Sequence, residues 1–375
     1  MGCLGWLAAL AVAAAGVISW LFSSELLDVD HSRGPFGNEV ERVAVHDDGD
    51  DTGSSDIITF ERNETTERPG IYGLDYAGGH AIARDVVKVS GDEVSRRVTQ
   101  IEGDLDEGTK VAFDPSVWET NPLAARGIPY REIEYPDELG QMPAWRIAGR
   151  GDTWAIFVHG INVTRVAGLR ILSSLHRMRL PSLLIAYRND AGAPPSEDGL
   201  IHLGATEWKD LDGAARYGLD HGARHLILIG SSMGGAIVSQ FIHRSPRAAR
   251  VSALILDAPV LDWNAVMDFQ ASDRDLPDLL ATTTEWVVSR RIDFDWDAFD
   301  QIDRADEFGM PILIFQGTED TMVPPSSSEQ FAAALPHLVT LYKVPRAGHV
   351  ESWNVGPPLF DSRVEAFLRT VLGRG

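Results

Sequence analysis

The chain has 375 residues, 44% of them hydrophobic, and its 33 Lys and Arg against 55 Asp and Glu give a formal charge of −22 at pH 7. That length accommodates one large α/β domain plus smaller additions. The acidic balance argues against nucleic-acid binding, which needs a basic face, and against docking on anionic lipid. The single cysteine, Cys3, excludes intrachain disulfides and any cysteine-based metal site.

In chain order, Cys3 to Phe22 comes first, without a charge, with Trp6 and Trp20 near its two ends. As a helix it spans about 30 Å, one hydrocarbon thickness, with aromatics at both interfaces. A secretory signal cut near Ala11-Val12-Ala13 is the competitor, but the apolar run continues through Leu21 and no Lys or Arg precedes it. Residues 1–22 are therefore expected to be an uncleaved, single-pass transmembrane anchor. Arg33 and Arg42 stand among many acids beyond it, which favours an extracytoplasmic placement of the rest. Residues 23–55 are acidic and rich in Gly, Ser and Asp, and predict a flexible linker. Their Asp47-Asp48-Gly49-Asp50-Asp51 run puts Thr52 and Thr59 where a calcium loop needs ligands, so it reads as a solvated acidic stretch. Residues 56–128 predict a small β-rich accessory module. Short strands such as Val94 to Ile101 alternate with the turn formers Gly78-Gly79, Ser90-Gly91-Asp92 and Gly103-Asp104.

From residue 129 onward the pattern becomes β-α-β. Ile128 to Glu134 and Ala144 to Ile147 are expected as initial antiparallel strands, followed by Thr153 to Val158, Ser182 to Tyr187, His225 to Ile229, Val251 to Leu256, Pro311 to Gln316 and Val339 to Val344. Helical stripes over Val163 to Arg177 and Ala205 to Asp220 separate them. The expected architecture over 129–375 is a mostly parallel, eight-stranded sheet with helices on both faces. About fifty residues between the last two pairs of strands exceed an ordinary connection, and Trp263 to Gln270, Leu279 to Arg291 and Trp296 to Ile302 can each be helical. This insertion, about 262–305, is expected to form a helical lid, with Trp263 and Met267 as candidate pocket lining.

The chemistry-bearing residues lie at strand ends. Gly230-Ser231-Ser232-Met233-Gly234 follows an apolar strand and opens a helix, the setting in which the third residue of Gly-x-Ser-x-Gly becomes the apex of a sharp elbow. Ser232 needs a base and the base an orienting carboxylate. Asp320 follows the Pro311–Gln316 strand and His349 follows Val339–Val344, both at the sheet edge where the elbow lies. Glu319, Asp257 and Asp262 are the rival acids, and Asp320 fits the spacing to Val323-Pro324 best. The backbone amides of Met233 and of Ile161, in the His159-Gly160-Ile161-Asn162 loop, are the candidate oxyanion donors, with His159 a structural support.

The Ser232 elbow, the His159-Gly160 loop, Asp320 before Val323-Pro324 and Gly348-His349 resemble the α/β-hydrolase superfamily, in particular its serine aminopeptidase and monoacylglycerol-lipase-like branch. Tyr187-Arg188-Asn189-Asp190, Glu207-Trp208, Leu256 to Trp263 and Ser352-Trp353-Asn354 resemble a group of actinobacterial α/β-hydrolases. The resemblance implies the α/β-hydrolase fold over roughly 129–373, and it is specific for fold and mechanism but poor for substrate. The expectation is a serine hydrolase without cofactor or metal, acting on a small ester, thioester, lipid or amide, most readily as a carboxylesterase or lipase. The alternatives are a peptidase, for which Glu207, Asp190 or Glu351 could hold a charged terminus, and a non-catalytic ligand-binding protein of the same fold.

Overall fold

The computed structural model describes residues 16–32, 36–46 and 55–373. Residues 16–27 form helix α1. Six strands then close into a barrel in the order β1-β2-β5-β4-β3-β6: β1 (Asn38–His46), β2 (Ser55–Glu61), β3 (Tyr72–Tyr76), β4 (Gly79–Ser90), β5 (Glu93–Glu102) and β6 (Lys110–Asp114). A single turn, α2 (Glu64–Glu67), bridges β2 and β3. Alternation along the strands sends Val40, Ile58, Phe60, Leu74 and Val98 into the barrel's own core.

After α3 (Pro122–Arg126), the strands β7 (Tyr130–Pro136), β8 (Gln141–Ile147), β9 (Thr153–Val158), β10 (Ser182–Ile185), β11 (His225–Ser231), β12 (Val251–Asp257), β13 (Ile312–Gly317) and β14 (Val339–Val344) form one eight-stranded sheet, ordered β14-β13-β12-β11-β9-β10-β8-β7. β9 through β14 are parallel, whereas β8 runs antiparallel to β10 and β7. Helices α4 (Leu169–Arg177), α5 (Trp208–Asp220), α6 (Met233–Arg244), α9 (Pro325–Ala334), α10 (Ser352–Val355) and α11 (Pro357–Val371) flank the sheet. Two large apolar clusters share out its strand residues: Ile156, Leu228, Leu254 and Ile314 belong to one, Ala155, Ile227, Ile255 and Leu313 to the other. Neighbouring residues of one strand thus bury on opposite faces, which is why these strands read as continuous apolar runs. The insertion after β12 supplies α7 (Trp263–Asp273) and α8 (Asp278–Ile292); the third expected helix is only a 3₁₀ turn at Asp297–Phe299.

The N-terminal expectations need correction. Residues 1–15, most of the expected anchor, lie outside the described residues, and no described helix is long and apolar enough to cross a membrane. The linker expected over 23–55 is structured in two of its parts. Asn38–His46 pairs with β2 and β6 as a barrel strand with a register shift between Val40 and Arg42; the shift puts Val40 three residues before Val43 and breaks the period-two pattern, and the acidic run that follows, itself outside the described residues, reads as linker. Residues 23–30 pack on the domain built around the eight-stranded sheet: Leu27 is fully buried and its carbonyl accepts the Ile201 N–H, while the Asn162 side chain accepts from Asp30 N–H and donates to the Asp28 carbonyl.

Candidate active site

β11 ends in a turn whose apex, Ser232, has φ 55° and ψ −124°, a strained conformation for a side-chain-bearing residue. The glycines around it are sterically required. A Cβ on Gly230 would lie 2.5 Å from the Gly234 carbonyl oxygen, and one on Gly234 would lie 2.3 Å from that of Val158. Held this way, Ser232 Oγ is 2.8 Å from His349 Nε2, and His349 Nδ1 is 2.9 Å from Asp320 Oδ2. The three residues come from the ends of β11, β13 and β14 and meet at one sheet edge.

Asp320 is buried and every lone-pair direction is engaged. Oδ1 accepts the N–H groups of Met322 and Val323, each at 2.9 Å, and Oδ2 accepts Gln316 Nε2 at 3.0 Å in addition to the histidine. Gln316 is fixed in turn, its Oε1 accepting the Ser328 hydroxyl at 2.8 Å. Sequence reasoning missed Gln316; the available signal was a lone amide at the end of the apolar strand Ile312–Phe315. The rival acids are placed elsewhere. Asp262 caps α7 through Asn264 N–H, and Glu319 is exposed. Asp257 lies partly buried behind the elbow, and desolvation raises its carboxyl above the usual range.

The oxyanion-loop geometry follows from one peptide plane. The Gly160 carbonyl accepts the Tyr187 hydroxyl at 2.6 Å and His159 Nδ1–H at 2.9 Å. In a trans peptide the next N–H, that of Ile161, points the opposite way. Gly160 also runs close against the elbow, since a Cβ there would be 2.9 Å from Ser232 Cβ. Met233 is the first residue of α6, so its N–H has no carbonyl partner within that helix. His159 is fully buried, stacks on Tyr187 at 4.3 Å and lies 2.7 Å from Asp190, which makes it part of the loop's support.

Ser232 and His349 open into a cavity of about 190 Å³ lined mainly by apolar side chains. Trp263 and Met267 both line it, whereas the other lid aromatics Phe269 and Trp286 do not. Trp263 also donates its indole N–H to the Leu203 carbonyl, tying lid to body. A further wall, packed against the lid, is α1, through Phe22, Glu25 and Leu26. α1 is clamped to α8 by Arg291, which donates to Ser23 and Ser24, and it meets α7 through a 3.6 Å ion pair between Glu25 and Arg274. None of the three carboxylates considered as peptide handles reaches the cavity. Asp190 serves Tyr187 N–H and His159, Glu207 accepts three backbone N–H groups of its own loop, and Glu351 is buried beneath Arg68.

Comparison with known proteins bears on both halves. A family model described as the prolyl oligopeptidase family matches residues 197–374, and one described as a domain of unknown function (DUF8805) matches residues 43–114. The uncharacterized protein Rv2307c of Mycobacterium tuberculosis is 30% identical over 196 residues, covering 51% of this chain and 59% of its own. The α/β hydrolase domain-containing protein WAV2 of Arabidopsis thaliana is 24% identical over 210 residues, covering 52% and 62%. The chain thus spans about three fifths of these relatives' length. Among solved structures, the esterase Pf2001 of Pyrococcus furiosus superposes in two crystal forms with TM-scores of 0.53 and 0.54 at 18% and 20% identity, covering 68% of this chain and 95% and 96% of that one. With the strand order and the elbow, these likenesses show that the chain has the α/β-hydrolase fold and fit that superfamily.

Proposed function

We propose that the protein is a serine hydrolase that cleaves carboxylic esters with an apolar acyl group through an acyl-enzyme on Ser232. The observation that carries this reading is the continuous relay of Ser232 Oγ, His349 and Asp320, with contacts of 2.8 and 2.9 Å. His349 Nε2 takes the hydroxyl proton as Oγ attacks the carbonyl carbon, and Asp320 fixes the tautomer by accepting Nδ1–H. The amides of Met233 and Ile161 receive the tetrahedral oxyanion. The histidine then gives its proton to the departing alcohol, and a water activated by the same imidazole releases the acid.

The apolar cavity beside Ser232 supports an acyl group over a charged one. The prolyl oligopeptidase description of the matching family keeps a peptidase as the second reading, but with Asp190, Glu207 and Glu351 all engaged internally the ester reading is favoured. We extend the proposal to placement: the hydrolase works at a lipid surface, held there by the apolar N-terminal segment. Supporting this, α1 exposes Val17, Ile18, Trp20 and Leu21, near exposed Leu279 and Trp286 of the lid.

A fluorophosphonate probe tests the chemistry. Labelling of the wild type and its loss in Ser232→Ala is expected, and a wild type that does not label refutes the enzyme reading. Nitrophenyl esters of graded chain length run beside aminoacyl-anilides divide esterase from peptidase, and flotation with neutral vesicles tests the placement.

A further inference from the structure

The loop that carries His349 is held in a conformation it would not adopt unaided. Arg346 and Val350, three residues before and one after the histidine, have φ of 61° and 52°. That region is unfavourable for a side-chain-bearing residue and most of all for β-branched valine. Such strain persists only where the surroundings over-determine it. On the hydrolase side, Arg170 of α4, itself buried, donates to the Val350 carbonyl and to Asn354 Oδ1, the Thr318 hydroxyl oxygen accepts Arg346 N–H, and the Ala347 carbonyl accepts Glu319 N–H.

Further restraints come from the barrel. Glu351, two residues past the histidine and 1% exposed, accepts the Gly348 N–H at 2.9 Å with Oε2. The same carboxylate accepts Arg68 Nη1 at 2.8 Å and the Tyr72 hydroxyl at 3.2 Å. Asn354 is fully buried and donates through Nδ2 to the carbonyls of Ile71 and Pro115, while its own carbonyl accepts Ile71 N–H. Gly70 permits this approach, because a Cβ there would sit 2.3 Å from the Asn354 oxygen and its φ is 114°. The 66–72 segment is anchored from inside the barrel by Arg96, fully buried and without a carboxylate partner among the described residues. Its guanidinium donates to the carbonyls of Thr66, Arg68, Gly70 and Arg84. Arg68 and Tyr72 lie within the segment matched by the domain of unknown function.

We propose that the barrel is a positioning module for the hydrolase: Arg68 and Tyr72 clamp Glu351 and so hold the strained loop that points His349 at Ser232. Glu351 is a positioning residue, since its carboxylate reaches the reacting atoms only through the loop backbone. The barrel thereby gives the hydrolase a control point remote from its cavity, because any displacement of the 66–72 segment is passed to the imidazole.

The inference rests on the serine-hydrolase reading, and the test separates the two. In the full-length chain, Arg68→Ala, Glu351→Gln and the double variant are assayed for kcat and KM on a nitrophenyl ester. Arg42→Ala, on the barrel surface with its side chain 59% exposed, serves as control. Misplacing a general base by a fraction of an ångström to one ångström gives an expected kcat loss of about 10- to 100-fold with KM within about threefold. Arg68→Lys is expected to recover part of that loss, the double variant to lose no more than the worse single one, and Arg42→Ala to match wild type. If Arg68→Ala does not fold, the smaller Tyr72→Phe and Arg68→Lys changes carry the same comparison. A folded Arg68→Ala with wild-type kcat, a loss carried in KM, or losses that add fully in the double variant would overturn the clamp while leaving a labelled, active wild type as a hydrolase. A wild type that neither labels nor turns over overturns the hydrolase reading and the clamp with it.

Discussion

Gly160→Ala isolates the oxyanion loop from every other part of the site. Gly160 has no positive φ, so alanine is compatible with its backbone and the effect is steric. The new methyl carbon would be 2.9 Å from Ser232 Cβ and 3.4 Å from both Ser232 Oγ and the Ser231 carbonyl oxygen. Neither side yields readily. The elbow is tied by Ser232 N–H to the Asp257 carbonyl, and the loop by the Gly160 carbonyl to Tyr187 and His159. Reaching ordinary carbon–carbon contact needs a shift of roughly 0.5–1 Å, enough to take the Ile161 N–H out of line with the oxyanion. Loss of one such donor costs about 3 kcal/mol, so kcat should fall by about 100-fold or more. KM should stay within a few-fold, since the apolar wall of the cavity is unchanged, and thermal unfolding should move by only a few degrees. Steady-state kinetics on a nitrophenyl ester, beside the rate of fluorophosphonate labelling, read both quantities, and labelling should slow in parallel because the phosphonyl oxygen uses the same donors. A variant with kcat within threefold of wild type would show that the loop accommodates a methyl group and that Ile161 is not a required donor.

Gln316→Leu should destabilise the fold by about 1–3 kcal/mol in urea unfolding, because it leaves the buried Ser328 hydroxyl without its acceptor; Gln316→Leu combined with Ser328→Ala should recover part of this. Asp137 is pushed up to about 7, by burial first and then by Asp210 beside it. Between pH 4 and 7 the folded state therefore keeps a proton that the unfolded state releases, and stability falls as pH rises through that window. Asp137→Asn removes this dependence, so its stability relative to wild type should improve between pH 5 and pH 8 by about 1–2 kcal/mol, well under the full shift because the group is only partly buried; an unchanged difference would refute the assignment. Leu26→Trp narrows the cavity from the α1 side, and kcat/KM for long-chain nitrophenyl esters should drop by about tenfold or more relative to acetate; an unaltered chain-length profile would remove α1 from the substrate wall.

Much of the sheet was legible because the parallel strands β9 to β13 are buried on both faces and therefore appear as apolar runs bounded by polar turns. The elbow was legible because Gly230, Ser232 and Gly234 keep the spacing of a strand-to-helix turn, although the demand on Gly234 comes from the distant Val158 carbonyl. What escaped was non-local. Nothing near Glu351 announces Arg68, 283 residues away, and so the carboxylate could be read equally as a substrate handle. Barrel closure depends on β1 pairing with β6, and the first of these was hidden by its acidic neighbour and by the register shift that breaks its alternation between Val40 and Arg42. Asn162 was set beside the oxyanion loop, but its bonds to Asp28 and Asp30 cross 132 to 134 positions.

That Phe22 and Leu26 complete the cavity has a practical side for anyone producing the protein. Shortening the gene through its apolar N-terminal run, a common remedy for poor expression, would leave the cavity beside Ser232 without one side if the cut fell beyond residue 22. It would also strip Asn162 of its tether if the cut fell beyond residue 30. A preparation begun near Val17 keeps both, and low turnover by a shorter version would speak of the missing helix before it spoke of the wrong substrate.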